Sequence, residues 1–422
     1  MKNNLINEFL RLLESNKRAI ISKGEIKTYR ELGHDIKRMI TVFEKNTNLN
    51  DSILIFSYPY RYDFYVSMFA GLLSGRTMVI LDSFKDKKKT EYMLNEANCN
   101  ICLSDKLFKY FKFKLPKLKM ILSSDYKKEE ESSFIADSAK VITFTSSTTG
   151  LPKRIERDLS FLEGQLNMLK NNLSVDDSSI IYGILPMYTL LSIFLGHTTV
   201  IDRKPNRAKD ADTVIAPIKK LINIKKPMNN IKHVFMGGAI LYRSEASYLN
   251  KIFPNAQIDY VYGASEGALI YKTTLANYLN NIFIYDEPTN GIDVSIDNPN
   301  LDGVGVIKIE GNTVIGKTHL TGDLGKLIEN RLMLYGRAKY SDLDKGFYNY
   351  LMDQEIRDAN PNIKAFSFKY NDKIICVYNG KLINKNDNIK YIYLKNLPYD
   401  IKHKTKLDYG KTIKILEGNK LI

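Results

Sequence analysis

The sequence has few cysteines and lacks long apolar segments. Its 422 residues include three cysteines, too few for the disulfide framework of a secreted domain, which favours a reducing compartment. The first residues lack the apolar stretch of a signal peptide. No run of about 18 apolar residues, the length of a membrane span, is present. These absences argue against secreted, disulfide-rich and membrane-spanning classes, and we expect a cytoplasmic protein.

What is present is the balance of an ordinary globular chain. Hydrophobic residues make up 44% and charged residues 26%, and the length predicts two or three domains. Strand-like runs at 52–57, 77–82 and 141–145 alternate with helical patterns, which is typical of α/β layers. Thr28, with a glutamate three residues later, is predicted to cap a helix. Residues 64–73 predict an amphipathic helix.

A shorter unit begins after Gly336. Strands are predicted at 365–368, 374–378 and 391–394, so we place a domain boundary within residues 335–339.

Positive charge is in excess and is concentrated at the C-terminal end. The formal net charge is +15, and residues 337–422 hold 17 Lys and Arg against 10 Asp and Glu. Such an excess is typical of proteins that bind nucleic acid, anionic lipid or phosphorylated ligands, although a basic segment is more often a solvated surface. Residues 109–119 mix basic and aromatic side chains, but Pro116 interrupts them, and we expect no nucleic-acid partner.

A hydroxyl-rich segment follows the strand predicted at 141–145. Residues 144–153 read FTSSTTGLPK, with five hydroxyl side chains before Gly150 and Lys153 three residues after it. Hydroxyls and backbone N–H groups of a tight turn can surround phosphate oxygens, and a nearby lysine neutralises their charge. The spacing differs from that of a Walker A loop. Taken alone, the segment fits a Ser/Thr-rich surface turn nearly as well as a phosphate loop.

Six further motifs stand along the chain in a fixed order. They are TYREL at 28–32, GGAIL at 237–241, YGASE at 262–266, TGDLG at 321–325, GRAK at 336–339, and LP at 397–398 followed by HKTKLD at 403–408. With the hydroxyl-rich segment, they resemble the motifs of the adenylate-forming enzymes, the superfamily of acyl- and aryl-CoA synthetases, nonribosomal-peptide adenylation domains and luciferases. The resemblance implies an α/β fold. A large N-terminal adenylate-forming domain of layered sheets and helices, residues 1–336, would precede a small mobile α+β C-terminal lobe, residues 337–422.

The resemblance also implies a two-step reaction. A carboxylic-acid substrate attacks the α-phosphate of ATP, which gives an acyl-adenylate and pyrophosphate, and the thiol of CoA or of carrier-protein phosphopantetheine then displaces AMP. Lys406 is implied to bridge the carboxylate and the α-phosphate, Glu266 to bind Mg²⁺, and Thr145 to act with them. The implied nucleotide-binding residues are Ser146, Thr148, Thr149, Gly150, Lys153, Gly238, Ala239, Tyr262, Gly263, Ser265, Asp323 and Arg337.

Several of these residues have a specific implied role. Asp323 would accept hydrogen bonds from both ribose hydroxyls, and Arg337 would contact the ribose or a phosphate. The glycine turn at 237–239 and the ring of Tyr262 would enclose the adenine. Lys339 stands at the hinge position, where backbone rotation would move the C-terminal lobe between the two half-reactions.

The chain departs from the family pattern at several positions. Ser147 stands where the family has glycine, which would cost about 1 kcal/mol if the backbone requires a positive φ. Arg154 replaces a second common glycine. Residues 186–189 read PMYT in place of P-x-x-H. Lys411, which follows a glycine, is an alternative assignment for the catalytic lysine.

The sequence is compatible with three functions. The first is an acyl- or aryl-CoA synthetase-like acid–thiol ligase whose donor is CoA or an acidic acyl-carrier protein. The second is a free-standing adenylation enzyme that loads an aryl or amino acid onto a carrier protein. The third is a catalytically impaired, nucleotide-binding relative, which Ser147 and the basic charge would fit. The sequence leaves the identity of the acid open.

Overall fold

A computed structural model describes residues 4–422 except 82, 83, 85, 106–117, 135–137, 145–150, 173, 174, 203–207, 265 and 400–406. The fold is mixed α/β, which confirms the predicted class. It divides into two compact units. Unit 1 comprises Met1–Ala216 and Met228–Phe235, and unit 2 comprises Pro217–Pro227 and Met236–Ile422.

The α-helices differ widely in length. In the described residues they are α1 (Asn4–Leu12), α2 (Tyr29–Asn46), α3 (Tyr62–Leu73), α4 (Lys87–Glu96), α5 (Leu159–Asn172), α6 (Pro186–Phe194), α7 (Ile218–Leu221), α8 (Arg243–Ile252), α9 (Leu275–Asn280), α10 (Asn349–Ala359) and α11 (Tyr409–Gly418). The predicted cap of α2 is confirmed, because Thr28 Oγ1 accepts from the Glu31 N–H and Thr28 N–H donates to the Glu31 carboxylate at 2.8 Å. Within the described ranges, no helix combines the length and apolar character needed to cross a bilayer.

The strands of unit 1 are mostly parallel. They are β1 (Arg18–Ser22), β2 (Glu25–Thr28), β3 (Ser52–Phe56), β4 (Thr77–Val79), β5 (Cys99–Ser104), β6 (Lys119–Leu122), β7 (Lys140–Phe144), β8 (Arg154–Asp158), β9 (Ile180–Gly183), β10 (Thr198–Val200) and β11 (Thr213–Pro217), with β12 (His233–Gly237) at its end. One sheet has the order β6-β5-β3-β4-β7-β8, and its only antiparallel pair among the described strands is β7–β8. A second sheet contains the strand order β11-β9-β10-β1-β2.

Strand β3 separates two apolar cores. Ile53 and Ile55 pack into the cluster that includes α2 and α3, whereas Leu54 and Phe56 pack into the cluster on the opposite face. Helix α3 differs from the prediction, because residues 64–73 are all buried and the helix has no polar face. It packs against both α2 and β4, and a helix enclosed in this way is apolar all round.

Unit 2 is built mainly from antiparallel strands. They are β13 (Gln257–Ala264), β14 (Ala268–Thr274), β15 (Ile284–Tyr285), β16 (Glu287–Pro288), β17 (Asp293–Asp297), β18 (Gly305–Glu310), β19 (Thr318–Ile328), β20 (Arg331–Arg337), β21 (Lys364–Tyr370), β22 (Lys373–Asn379) and β23 (Ile389–Tyr393). Strand β14 pairs with β13 and β16, and a further sheet has the order β15-β20-β19-β18-β17. The three strands predicted after Gly336 are confirmed as β21, β22 and β23, which form one sheet.

Candidate functional site

The glycine turn after β12 brings the backbone close to β13. A Cβ atom on Gly237 would lie 2.7 Å from the carbonyl oxygen of Val261, and Gly238 has a φ of +85°. The hydroxyl of Tyr260 donates to the carbonyl oxygen of Ala239 at 2.9 Å. Glycine is therefore needed at this approach, and the turn lies next to the strand that carries Tyr262.

Asp323, Arg337 and Tyr262 form one polar cluster in unit 2. Antiparallel pairing of β19 with β20 places Asp323 directly opposite Arg337. The Arg337 Nε lies 3.2 Å from Asp323 Oδ1, and the Tyr262 hydroxyl donates to Oδ2 at 3.0 Å. The Asp323 carboxylate raises the pKa of Arg337. Burial, together with that carboxylate, raises the pKa of Tyr262 well above its usual value, so both groups stay protonated as donors.

The main chain around Asp323 is held by its neighbours. Thr321 Oγ1 accepts from the Asp323 N–H at 3.1 Å and donates to the carbonyl oxygen of Ile307 at the same distance. Arg337 Nη1 donates to the carbonyl oxygen of Thr321 at 3.0 Å. Gly322 has a φ of +73°, a conformation that favours glycine. The carboxylate of Asp323 is thus oriented by both its side-chain partners and its backbone.

A further residue of this cluster was missed in the sequence. The Tyr350 hydroxyl donates to Asp323 Oδ1 at 3.3 Å from the first turn of α10. Its neighbour Asn349 is fully buried, and Asn349 Oδ1 accepts from the Arg337 N–H at 2.8 Å. No motif marks Tyr350, because its role depends on how α10 packs rather than on local spacing.

Glu266 lies beside His319, which the sequence also did not single out. The Glu266 Oε2 atom is 3.7 Å from His319 Nε2, and the glutamate side chain is 15% exposed. The Ile315 N–H donates to the carbonyl oxygen of Glu266 at 2.8 Å and so holds the main chain at Glu266. A single carboxylate that still reaches solvent fits Mg²⁺, which is commonly held by one or two carboxylates and substrate phosphates. The described residues contain no group of three or more His, Cys, Asp or Glu side chains arranged for a metal.

A β-bulge interrupts the pairing of β13 with β14 after Tyr262, and its extra residue, Ile270, lies on β14. The pairing of β13 with β14 shifts register between Tyr262 and Gly263. Tyr262 is buried, whereas Gly263 is exposed. Bulges of this kind redirect side chains and are frequent next to functional sites.

The predicted hinge residue follows β20. Lys339 lies in a short 3-10 helix, Ala338–Tyr340, and its ammonium group is 5.8 Å from the centre of the Tyr340 ring. The Lys339 side chain is exposed, whereas Gly336 is buried so tightly that an added Cβ would collide with the Asn349 side chain.

Other predicted residues fall outside the described ranges. They are Thr145, Ser146, Thr148, Thr149, Gly150, Ser265 and Lys406. The Ser147 departure lies there too. Lys153 is described in unit 1, where it is exposed and precedes β8. Lys411, the alternative catalytic lysine, lies in the first turn of α11, where its N–H donates to the capping Asp408 side chain at 2.9 Å.

Known proteins resemble this chain in sequence and in fold. A sequence model of the AMP-binding enzyme family matches residues 13–315. A putative long chain fatty acid-CoA ligase, VraA, of Staphylococcus haemolyticus is 23% identical over 267 residues, which cover 54% of this chain and 57% of the relative. The chain therefore spans little more than half the length of that relative.

Two solved structures share the fold over almost the whole chain. The o-succinylbenzoate CoA synthetase of Bacillus subtilis, in complex with its acyl-adenylate intermediate, has a TM-score of 0.80 at 16% identity and covers 97% of each chain. ATP-bound MatB of Rhodopseudomonas palustris has a TM-score of 0.81 at 16% identity and covers 99% of each. These likenesses confirm a large N-terminal domain followed by a C-terminal lobe. With the family match across most of its length, the chain belongs to the AMP-binding enzymes.

Proposed function

We propose that this protein activates a carboxylic acid with ATP and transfers the acyl group to a thiol. In the first step a carboxylate oxygen bonds to the α-phosphorus of ATP, and pyrophosphate leaves. In the second step the thiol sulfur bonds to the acyl carbon, the bond from that carbon to the AMP oxygen breaks, AMP leaves and the thiol proton is released to solvent. Both steps bring anions together, so charge neutralisation and positioning are the main tasks of the protein.

The cluster of Asp323, Tyr262 and Arg337 carries the proposal. A carboxylate oriented by a buried tyrosine and an arginine is suited to accept hydrogen bonds from ribose hydroxyls. The glycine turn after β12 approaches β13 at Val261, the residue before Tyr262, and the adenine is assigned to this turn and the Tyr262 ring, as the resemblance implies. We therefore assign the nucleoside part of ATP to this region of unit 2.

The phosphates and the reacting carboxylate are assigned to residues of the recognised motifs. Thr145, Ser146, Thr148, Thr149, Gly150 and Lys153 would contact phosphates, as would Ser265. Glu266 would hold Mg²⁺, which when bound neutralises phosphate charge. Lys406 would stabilise the α-phosphate and the attacking carboxylate. Lys339 would act as the hinge between residues 1–336 and a mobile lobe, residues 337–422.

The thiol donor is proposed to be CoA or a carrier-protein phosphopantetheine. Both donors are anionic, and the excess of basic residues in 337–422 favours an anionic partner. The three free cysteines suit a reducing compartment, so we place the reaction in the cytoplasm.

The test is a pyrophosphate-release assay with ATP, Mg²⁺ and a panel of fatty, aromatic and amino acids. We expect release that depends on one class of acid, and thioester formation when CoA or a phosphopantetheinylated carrier protein is added. Transfer to the carrier alone would favour the free-standing adenylation enzyme. Nucleotide binding with no acid-dependent release across the panel would instead favour the catalytically impaired relative.

A further inference from the structure

Asp323 is almost saturated by donors from the protein itself. A carboxylate offers about four lone-pair positions on its two oxygens. Tyr350 and Arg337 both face Oδ1, at 3.3 and 3.2 Å, and Tyr262 donates to Oδ2 at 3.0 Å. About one position is left free, whereas two ribose hydroxyls would need two.

The three donors differ in how readily they can leave. Arg337 is a cation, so its attraction to the Asp323 carboxylate holds it in place. It also donates to the carbonyl oxygen of Thr321, which anchors the guanidinium group further. Tyr262 is buried on β13, and its hydroxyl bond is the shorter of the two tyrosine bonds. Tyr350 makes the longest contact and is only partly buried. Tyr350 is thus the donor that is displaced at least cost.

Tyr350 is fixed by the segment that follows the hinge motif. Asn349 Oδ1 accepts from the Arg337 N–H, and Asn349 Nδ2 donates to the Tyr409 hydroxyl at 2.9 Å. The Asn349 N–H donates to the Ser341 hydroxyl oxygen at 3.2 Å. Because the first turn of α10 is held on several sides, the Tyr350 hydroxyl stays near Asp323 unless its side chain rotates or the whole segment moves.

We propose that Tyr350 competes with the ribose hydroxyls of the nucleotide for Asp323 and so sets the affinity of the site for ATP and AMP. This inference rests on the proposed function, in which Asp323 receives the ribose. Tyr350 is a positioning residue that acts through Asp323. Its hydroxyl bond weakens nucleotide binding before substrate arrives and favours release of AMP afterwards. Burial and the Asp323 charge raise the pKa of Tyr350, so the competing hydroxyl keeps its proton at neutral pH.

The test compares nucleotides with and without ribose hydroxyls. Dissociation constants for ATP and for 2′,3′-dideoxyadenosine triphosphate are measured by calorimetry on the full chain and on Tyr350→Phe. Removing a competing neutral hydrogen bond should tighten ATP binding by roughly two- to tenfold. The dideoxy analogue has no hydroxyl to compete for Asp323, so its affinity should stay unchanged.

Tyr348→Phe is the matched control, because that hydroxyl accepts from Asn300 Nδ2 at 3.2 Å and, within the described residues, is not a donor to Asp323. It should leave both nucleotides unaffected. Unchanged or weaker ATP binding in Tyr350→Phe, or equal tightening of both nucleotides, would overturn the inference.

A third variant separates this inference from the proposed function. Asp323→Asn should reduce the preference for ATP over the dideoxy analogue if the carboxylate binds the ribose. If that preference is absent in the wild type or survives in Asp323→Asn, the ribose assignment fails and the competition fails with it. If Asp323→Asn behaves as expected but Tyr350→Phe changes nothing, only the competition is wrong.

Discussion

Asp353 should make the stability of unit 2 depend on pH. This carboxyl is fully buried on α10. Its Oδ1 accepts from the Ser367 N–H at 2.5 Å and from the Ser367 hydroxyl at 2.6 Å, and its Oδ2 accepts from the Tyr242 hydroxyl at 2.8 Å. Burial raises the pKa of Asp353 to about 7, although the nearby Arg357 charge and these bonds oppose the increase. The folded state therefore holds this proton more tightly than the unfolded state does.

The direction and size of the pH dependence follow from the difference between the folded and unfolded pKa values of Asp353. The stabilisation from the bound proton is complete below the unfolded pKa, about 3.8, and is lost as pH rises through about 7. The total is on the order of 4 kcal/mol, at 1.36 kcal/mol for each pKa unit. Asp353→Asn cannot ionise. Its oxygen can keep the bonds from Ser367, and its amide can donate to the Tyr242 hydroxyl. The variant should lose this part of the pH dependence while it keeps the fold.

The assay is urea unfolding at several values between about pH 5 and pH 8. The chain has 27 tyrosines and no tryptophan, so tyrosine fluorescence and far-UV circular dichroism report the transition. The unfolding free energy of wild type relative to Asp353→Asn should fall with rising pH. Asp342→Asn is the control, because Lys369 lowers the pKa of Asp342 and the variant should keep the wild-type decline. Equal declines in wild type and Asp353→Asn would refute the reasoning.

Two further predictions concern the proposed site. Lys406→Ala should slow adenylation by roughly two to three decades while transfer from preformed acyl-adenylate survives, as measured in separate half-reaction assays; loss of adenylation in Lys411→Ala instead would move the catalytic role to Lys411. Gly237→Ala should lower the free energy of unfolding by about 1–3 kcal/mol and weaken ATP binding, because its Cβ would meet the Val261 carbonyl oxygen at 2.7 Å. Gly418→Ala, where an added Cβ meets nothing within 4 Å, is the control, and equal effects of the two alanines on unfolding and calorimetry would contradict the steric argument.

The sequence predicted correctly those helix caps and strands that depend only on neighbouring residues. The Thr28–Glu31 capping box is visible from spacing alone, and the strands after Gly336 are runs of β-prone residues. The amphipathic prediction for 64–73 failed because the exposure of α3 depends on what packs around it. Strand β8 was not predicted, since the sequence RIERD offers little apolar signal.

The site was predictable only as far as its motifs reached. Asp323 and Arg337 were selected by resemblance, and antiparallel pairing of β19 with β20 then accounts for their contact. Tyr350, His319 and Asp353 were not selected. Their partners lie far away along the chain, and no spacing rule connects such positions before the tertiary structure is known.

The most direct test of acyl-adenylate formation follows the carboxylate oxygens. The cognate acid is labelled with ¹⁸O at both carboxylate oxygens, and the products of one complete ATP-dependent turnover are examined by mass spectrometry. Because a carboxylate oxygen bonds to the α-phosphorus and stays there when the thiol takes the acyl group, AMP should gain one ¹⁸O atom and pyrophosphate none. Label in inorganic phosphate with ADP as the co-product, or AMP without label, would contradict the proposed reaction.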